Sequence, residues 1–207
     1  MKVSVILLAG GTGSRMGTSV PKQFLDLNGK PIARYSYDLF KDLPFITQII
    51  VVAPEAYRDL FPGATFADPG LRRQDSVYNG FLETPRGVDL ICIHDAARPF
   101  LLKEDVTKLL KVAQESKAAT LGCPVRYTVK QVKDGHVDKT IMRDNLFEIH
   151  TPQMITPDLL DAGFKMARDQ DTTVSDDVSL VELLGHPVRI VEGSPRNIKI
   201  TYPDDLL

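Results

Sequence analysis

A short run of Val, Ile and Leu, Val3 to Leu8, passes directly into Ala9-Gly-Gly-Thr-Gly-Ser-Arg-Met-Gly17, and Pro21-Lys-Gln-Phe24 follows a few residues later. A run that is brief, rich in β-branched residues and closed by glycine reads as a buried strand. Gly10, Gly11 and Gly13 have no Cβ, so the chain leaving that strand is free to turn with positive φ and aim its N–H groups at an anion. Arg15 and Lys22 add full positive charge where phosphate charge has to be neutralised. Together these features call for an α/β arrangement in which a strand presents a ligand loop at its carboxyl end.

Two familiar glycine motifs do not describe this loop. A P-loop needs Gly-Lys followed by Ser or Thr at a helix start, and that tripeptide is absent. The dinucleotide fingerprint G-x-G-x-x-G would begin at Gly11 and meet Met16 at its third small position, although Gly10, Gly13 and Gly17 keep the stretch glycine-rich. Taken alone, the loop is also compatible with a tight strand-to-helix turn that holds no ligand, the less favoured of the two readings.

The chain has 207 residues, 43% of them hydrophobic, which is enough for one well-packed α/β domain over residues 1–207. A formal net charge of -2 leaves no global footprint for nucleic acid or an acidic membrane, so anion binding must be local. Cys92 and Cys123, the two cysteines, lie in apolar contexts without metal-binding spacing and are expected as buried thiols in a reducing, cytoplasmic setting. The apolar run after Met1-Lys2 is too brief for a signal-peptide core or a membrane span.

Further apolar runs at Ile46–Ala53, Leu90–Ile93 and Ala119–Pro124 are expected as strands. Between them, Pro31–Leu43 lines up Ile32, Tyr35, Leu39 and Phe40 at helical spacing, and Lys103–Ser116 does the same with Val106, Leu109, Leu110 and Ala113. Alternation of strand and helix predicts a Rossmann-like, mostly parallel sheet with helices on both faces. Residues 125–145 break the pattern. Alternating polar stretches flank Asp134-Gly135, which predicts a β-hairpin arm standing off the sheet. Such a hairpin is marginal alone, so it is expected to pack on a second copy of the chain.

Four segments carry the chemistry. Besides the glycine loop, Pro69-Gly-Leu-Arg-Arg-Gln-Asp-Ser-Val77 brings Ser76 to a helix start, where Asp75 and Ser76 would serve equally well as caps. In Ile93-His-Asp-Ala-Ala-Arg-Pro99, Asp95 follows a buried strand and is placed to meet magnesium or a substrate hydroxyl, with Ala96 and Ala97 leaving room; a turn-capping role is the alternative. Asn197-Ile-Lys-Ile-Thr201 is expected as a strand with Ile198 and Ile200 on one face and Lys199 on the other. The histidines at 94, 136, 150 and 186 show no metal spacing. Arg and Lys beside glycine backbone suit a reaction that needs charge stabilisation rather than covalent catalysis.

In order along the chain, Leu8-Ala-Gly-Gly-Thr-Gly-Ser-Arg-Met16, Pro21-Lys-Gln-Phe24, Arg73-Gln-Asp-Ser-Val77, His94-Asp-Ala-Ala-Arg-Pro99, Thr151-Pro-Gln153, Ser175-Asp-Asp177 and Asn197-Ile-Lys-Ile-Thr201 closely resemble the 2-C-methyl-D-erythritol 4-phosphate cytidylyltransferases. The resemblance implies a glycosyltransferase-A-like fold, a homodimer formed through the arm, and transfer of CMP from CTP to a sugar-alcohol phosphate with release of diphosphate. It implies that Ala9, Gly10, Gly11 and Gly13 meet the nucleotide through backbone groups and that Ser76 helps to read the base. Arg15 and Lys22 would stabilise the five-coordinate α-phosphorus. Lys199 and Arg143 would hold the acceptor phosphate, Arg143 reaching in from the partner's arm. Asp95, Thr128, Thr151 and Ser175 would hold the rest of the acceptor. Magnesium would travel mainly with the triphosphate and touch Asp95.

The chain departs from the usual pattern with Ala-Gly-Gly for Ala-Ala-Gly, Ser175 for threonine, Phe147 for tryptophan and Pro69-Gly70 for a double glycine; none of these removes a charge. Relatives commonly continue into a further helix beyond the position of Leu207, so a tail is expected to follow. Three other readings compete: a ribitol-5-phosphate cytidylyltransferase, which would favour His-Asp-Ser-Val-Arg-Pro where His94-Asp-Ala-Ala-Arg-Pro99 stands; a dinucleotide-binding oxidoreductase, suggested by glycine spacing; and a silent nucleotide-binding module, which the set Arg15, Lys22, Asp95 and Lys199 argues against.

Overall fold

The computed structural model describes residues 1–11 and 20–206. Gly13 and Arg15 lie outside the described residues. In chain order the strands are β1 (Val3–Leu8), β2 (Asp26–Leu27), β3 (Lys30–Pro31), β4 (Ile46–Val52), β5 (Thr65–Ala67), β6 (Leu90–Asp95), β7 (Ala118–Pro124), β8 (Val129–Lys133), β9 (His136–Ile141), β10 (Phe147–Ile155) and β11 (Arg189–Glu192). The helices are α1 (Ile32–Lys41), α2 (Arg73–Leu82), α3 (Lys103–Ser116), α4 (Pro157–Asp169) and α5 (Ser179–Glu182).

The main sheet runs β11-β7-β10-β6-β1-β4-β5. Every strand in it points the same way except β10, which is antiparallel to both β6 and β7. Both faces are covered, as the near-continuous apolar strands require. Alternation along β1 sends Val3, Val5 and Leu7 into the layer under α1 and α3, with Tyr37, Phe40, Leu109 and Ala113. Ile6 faces the opposite layer, with Val77 of α2 and Leu160 and Phe164 of α4. The path from β1 to β4 and β5 proceeds to one side, and β6 then returns to the other side of β1. That reversal opens a crevice between the carboxyl ends of β1 and β6, where such sheets bind ligands.

Several expectations from sequence are revised. In α1 the buried side is Ile32, Ala33, Ser36, Tyr37 and Phe40, while Tyr35 and Leu39 are only half-buried. The cause is that the helix lies on the sheet through the 33-37-40 row, and the Tyr35 hydroxyl turns away to donate to Leu27 O at 2.5 Å. Strand β6 extends two residues beyond the apolar run, so His94 and Asp95 belong to the strand itself and pair with Leu7 and Leu8. Asn197–Thr201 is not a strand. Its Ile200 N–H donates to Ala97 O at 2.9 Å, Ile200 is buried, and Ile198 is exposed, so the two isoleucines do not share a face. No element was expected at Phe147–Ile155, where β10 forms by pairing on both sides.

The hairpin forms where the Asp134-Gly135 signal lies. Both residues have positive φ, 50° and 78°, as a two-residue turn of the primed type requires. Strands β8 and β9 pair only with each other and are almost wholly exposed.

Gly163 gives a check on how tightly α4 and α5 pack. A Cβ there would lie 2.7 Å from Leu180 O and 3.0 Å from its carbonyl carbon. Ala would gain about 1 kcal/mol of helix propensity over Gly, but overpacking costs about 1–3 kcal/mol, and a backbone carbonyl yields less readily than a side chain. Gly163→Ala is therefore expected to lower stability, read as a lower urea midpoint at unchanged slope; a raised midpoint would show that the interface has slack.

Candidate active site

The crevice has a volume of about 370 Å³, within the range of small-molecule pockets. Gly10 and Gly11 form its floor at the end of β1, Lys22 and Gln23 one wall, Gly70 to Arg73 with Ser76 another, and Asp95 with Lys199 the third. The floor is fixed from below. Gln23, almost wholly buried, donates through Nε2 to Ala9 O at 2.6 Å and to Gly11 O at 2.8 Å. Ala9 N–H meanwhile donates to Val52 O at 2.9 Å. Gly10 is packed so closely that a Cβ would fall 2.6 Å from Pro69 Cβ, so glycine is needed there for the two loops to meet. Lys22 is buried in the short 3-10 turn Lys22–Phe24 and faces the same cavity.

The second wall begins at α2. Asp75, three residues into the turn, accepts Arg72 N–H at 3.0 Å and pairs with its guanidinium, so it caps the helix. Ser76 Oγ accepts Gly70 N–H at 3.0 Å and donates to Arg72 O at 3.2 Å, which holds the Gly70 turn against the helix. Ser76 thus both lines the cavity and shapes the loop around it.

Asp95 organises the third wall. Lys199 Nζ donates to its Oδ2 at 2.7 Å, and Arg73 Nε and Nη2 approach its Oδ1 at 3.3 Å each. Arg98 Nε lies 3.8 Å away. Arg73 is held in turn by buried Asp177, whose two oxygens accept from Nη1 and Nη2 at 2.7 and 2.8 Å. Burial works against the Asp95 carboxylate, but Arg73, Lys199 and Arg98 outweigh it and hold its pKa well below the usual carboxylate range. Burial likewise opposes the Arg73 charge, and Asp177 and Asp95 overcome it, raising its pKa.

Beneath this wall is His94, fully buried. Asp95 N–H donates to Thr151 Oγ1 at 3.0 Å, so the threonine hydroxyl has its own proton free for His94 Nδ1 at 3.1 Å. That leaves Nε2 as the protonated ring nitrogen, 3.3 Å from Arg98 O. Burial pushes the His94 pKa down to about 3, so the ring is neutral at physiological pH.

Of the residues expected at the site, Gly10, Gly11, Lys22, Ser76, Asp95 and Lys199 line one cavity. Ala9 and Thr151 lie directly beneath it, their polar groups engaged within the protein. Thr128 and Arg143 are exposed at the base of the arm, where Arg143 hydrogen-bonds Arg126 O, and Ser175 lies in a separate depression with Asp176 and Glu182. Sequence reasoning assigned no role to Gln23, Arg73, Asp177 or Thr201. Their signal was present in the paired arginines after Gly70 and in the doubled Asp176-Asp177, but nothing in linear spacing says that these meet across about a hundred residues.

A crevice at the switch point of a doubly wound sheet, floored by glycine backbone and walled by lysine and arginine, defines a phosphate-handling α/β protein. The family model for 2-C-methyl-D-erythritol 4-phosphate cytidylyltransferase matches residues 3–207. A chloroplastic relative of that name from rice is 47% identical over 99% of this chain and 72% of its own, and one from Chlamydia pneumoniae is 40% identical over 100% and 96%. Crystal structures of the enzyme from Thermus thermophilus (TM-score 0.85, 32% identity, covering 100% of this chain and 96% of that one) and Francisella tularensis (0.87, 30%, 100% and 97%) superpose on the fold. The chain belongs to the 2-C-methyl-D-erythritol 4-phosphate cytidylyltransferase family, a family of nucleotidyltransferases.

Burial of neutral His94 has a pH signature. Its folded pKa of about 3 lies below the ordinary 6.5, so the unfolded chain binds the extra proton and stability, complete above pH 6.5, is lost as pH falls toward 3, at about 1.4 kcal/mol per pH unit. His150, lowered by burial to about 4, acts in the same direction. Urea unfolding at pH 7, 6 and 5 is expected to show a shallower pH slope for His94→Gln than for the unmodified protein; equal slopes would contradict the buried neutral ring.

Proposed function

We infer that the protein transfers the cytidylyl group of CTP to 2-C-methyl-D-erythritol 4-phosphate, releasing diphosphate, as a step of non-mevalonate isoprenoid precursor synthesis. The observation that carries this reading is the convergence of Lys22, Arg73 and Lys199 around one glycine-floored cavity in a chain of this family. In the reaction, an oxygen of the acceptor phosphate forms a bond to the α-phosphorus of CTP while the bond to the bridging oxygen breaks, and diphosphate carries away the electron pair. A phosphate oxygen is already an anion and needs no general base. The barrier is instead the approach of two polyanions, which fixed cations lower by positioning and charge stabilisation.

Lys22, beside the floor, is assigned to the nucleotide phosphates together with Arg15. Lys199, at the opposite wall, is assigned to the acceptor phosphate. Its 2.7 Å contact with Asp95 keeps the ammonium directed into the cavity until a phosphate arrives to share it. Ser76 and the backbone of Gly10 and Gly11 are assigned to the nucleoside. Thr128 and Arg143 are assigned to the acceptor of the partner's site, delivered by the arm across a homodimer. Exposed Tyr127, Val132, Val137 and Met142 on and beside the hairpin support that reading, since they are apolar surface that a second copy would cover.

The donors present do not fit a resident magnesium ion. Among the described residues no three His, Cys, Asp or Glu side chains converge, and both Asp95 oxygens already face cations. We assign any magnesium to the triphosphate it accompanies. Two buried free thiols, Cys92 and Cys123, support a reducing, cytosol-like compartment. Among the described residues no helix is long and apolar enough to cross a membrane, and the net charge of -2 supports small-molecule rather than nucleic-acid substrates.

Diphosphate release followed with CTP and either 2-C-methyl-D-erythritol 4-phosphate or ribitol 5-phosphate tests the reading: rapid release with the first alone is expected, and silence with both would refute it. Lys22→Ala is expected to lower turnover by on the order of a hundredfold, comparable to removing one preorganised donor. Arg143→Ala should weaken acceptor use. Mixing it with Lys22→Ala is expected to restore part of the activity if sites are shared between protomers, and the absence of any recovery would refute the arm assignment.

A further inference from the structure

Lys199 lies on a segment with no strand pairing, yet its ammonium is held 2.7 Å from Asp95. A long, flexible side chain on irregular backbone keeps such a position only if its main chain is fixed by something else. On its carboxyl side the main chain is anchored by Ile200 N–H to Ala97 O at 2.9 Å, by Thr201 Oγ1 to Lys199 O at 3.0 Å and by Thr201 N–H to Asp205 Oδ2 at 2.7 Å. On its amino side the anchorage across to the sheet comes from Asn197, two residues earlier and 1% exposed.

Besides the turn bond from its N–H to Ser194 O at 3.1 Å, Asn197 is gripped at two points by distant parts of the chain. Its Nδ2 donates to Thr151 O at 2.8 Å, and its own carbonyl accepts Arg98 Nη1 at 2.8 Å. Thr151 is able to offer its carbonyl because the β10–β7 register shifts between His150 and Gln153, which takes Thr151 and Pro152 out of the pairing on that side. The same residue accepts Asp95 N–H through its hydroxyl at 3.0 Å. One threonine therefore fixes both partners of the ion pair, Asp95 through Oγ1 and the Lys199 segment through its carbonyl and Asn197. The contacts close a ring: Asp95, Thr151, Asn197, Lys199 and back to Asp95.

We propose that Asn197 is a positioning residue for acceptor-phosphate binding, setting Lys199 by tying its backbone to the threonine that also holds Asp95. Asn197 lies outside the cavity lining, so it acts through Lys199 and touches no substrate. A donor at this reach is required because the atom facing it is a carbonyl oxygen; the Nδ2 end of the amide is the end engaged, Oδ1 being buried without a partner, and Asp at this position would oppose oxygen to oxygen. The proposal rests on the assignment of Lys199 to the acceptor.

A double-mutant cycle tests it. Lys199→Ala is measured first: a large loss of kcat/KM for the sugar-alcohol phosphate upholds the assignment of Lys199, and full activity would remove that assignment and this proposal with it. Asn197→Ala and Asn197→Ser are then made alone and in the Lys199→Ala background, and assayed well below their melting temperatures. Alone, each is expected to lower kcat/KM for the acceptor by about tenfold while KM for CTP changes less than twofold. In the Lys199→Ala background the same changes are expected to cost less than twofold more. Asn197→Asp is expected to resemble Asn197→Ala. Equal losses in both backgrounds, or equal losses for CTP and acceptor, would overturn the proposal and mark Asn197 as a general structural residue, with the assignment of Lys199 left standing.

Discussion

The structure depends on keeping one carboxylate, Asp95, ionised at the carboxyl end of a strand. A buried anion is costly unless cations and hydrogen bonds surround it. Here the compensation comes from far apart in the chain: Arg73 from the start of α2, Lys199 from beyond β11, and the Asp95 N–H fixed by Thr151 of β10. Asp95 is the group that all three touch. The carboxylate thereby gathers more positive charge than it offsets, with Arg73, Lys199 and Arg98 around one anion. Lys22, Arg73 and Lys199 face the same cavity, and its walls remain suited to anions.

A second layer of buried polar groups keeps that arrangement in register. Asp177 holds Arg73 from behind, and Gln153 Oε1 accepts the Asp177 and Val178 N–H groups at 2.8 and 3.0 Å. His94 engages Thr151 and Arg98 O, and Gln23 braces the carbonyls of Ala9 and Gly11. These side chains do no chemistry on a phosphate. They remove the freedom that the reacting groups would otherwise have to lose on binding, which is how a charge-stabilising site gains from being rigid.

The sequence made the fold legible wherever burial was written as a run of apolar residues. Val3–Leu8, Ile49–Val52 and the start of β6 are sheathed on both faces and look it, and Asp134-Gly135 announces its own turn. It failed where context decides. Strand β10 carries Glu148, His150, Thr151 and Gln153, a polar text that becomes a strand because β6 and β7 both offer it hydrogen bonds. Asn197–Thr201 has the alternation of a strand but no neighbour to pair with. At the site, Lys22, Ser76, Asp95 and Lys199 stood out because their residue types and flanking glycines or strand ends imply chemistry. Arg73 and Asp177 did not, because a bridge across 104 positions leaves no local mark.

The outermost members of the main sheet, β5 with three residues and β11 with four, are its shortest. Strand β11 begins at Arg189 and closes on Glu192, and the hairpin bears Lys130, Lys133 and Lys139. Brief, charged margins give a stray chain little backbone on which to zip up, so the protein is guarded against ribbon-like polymerisation at high concentration without covering its rims.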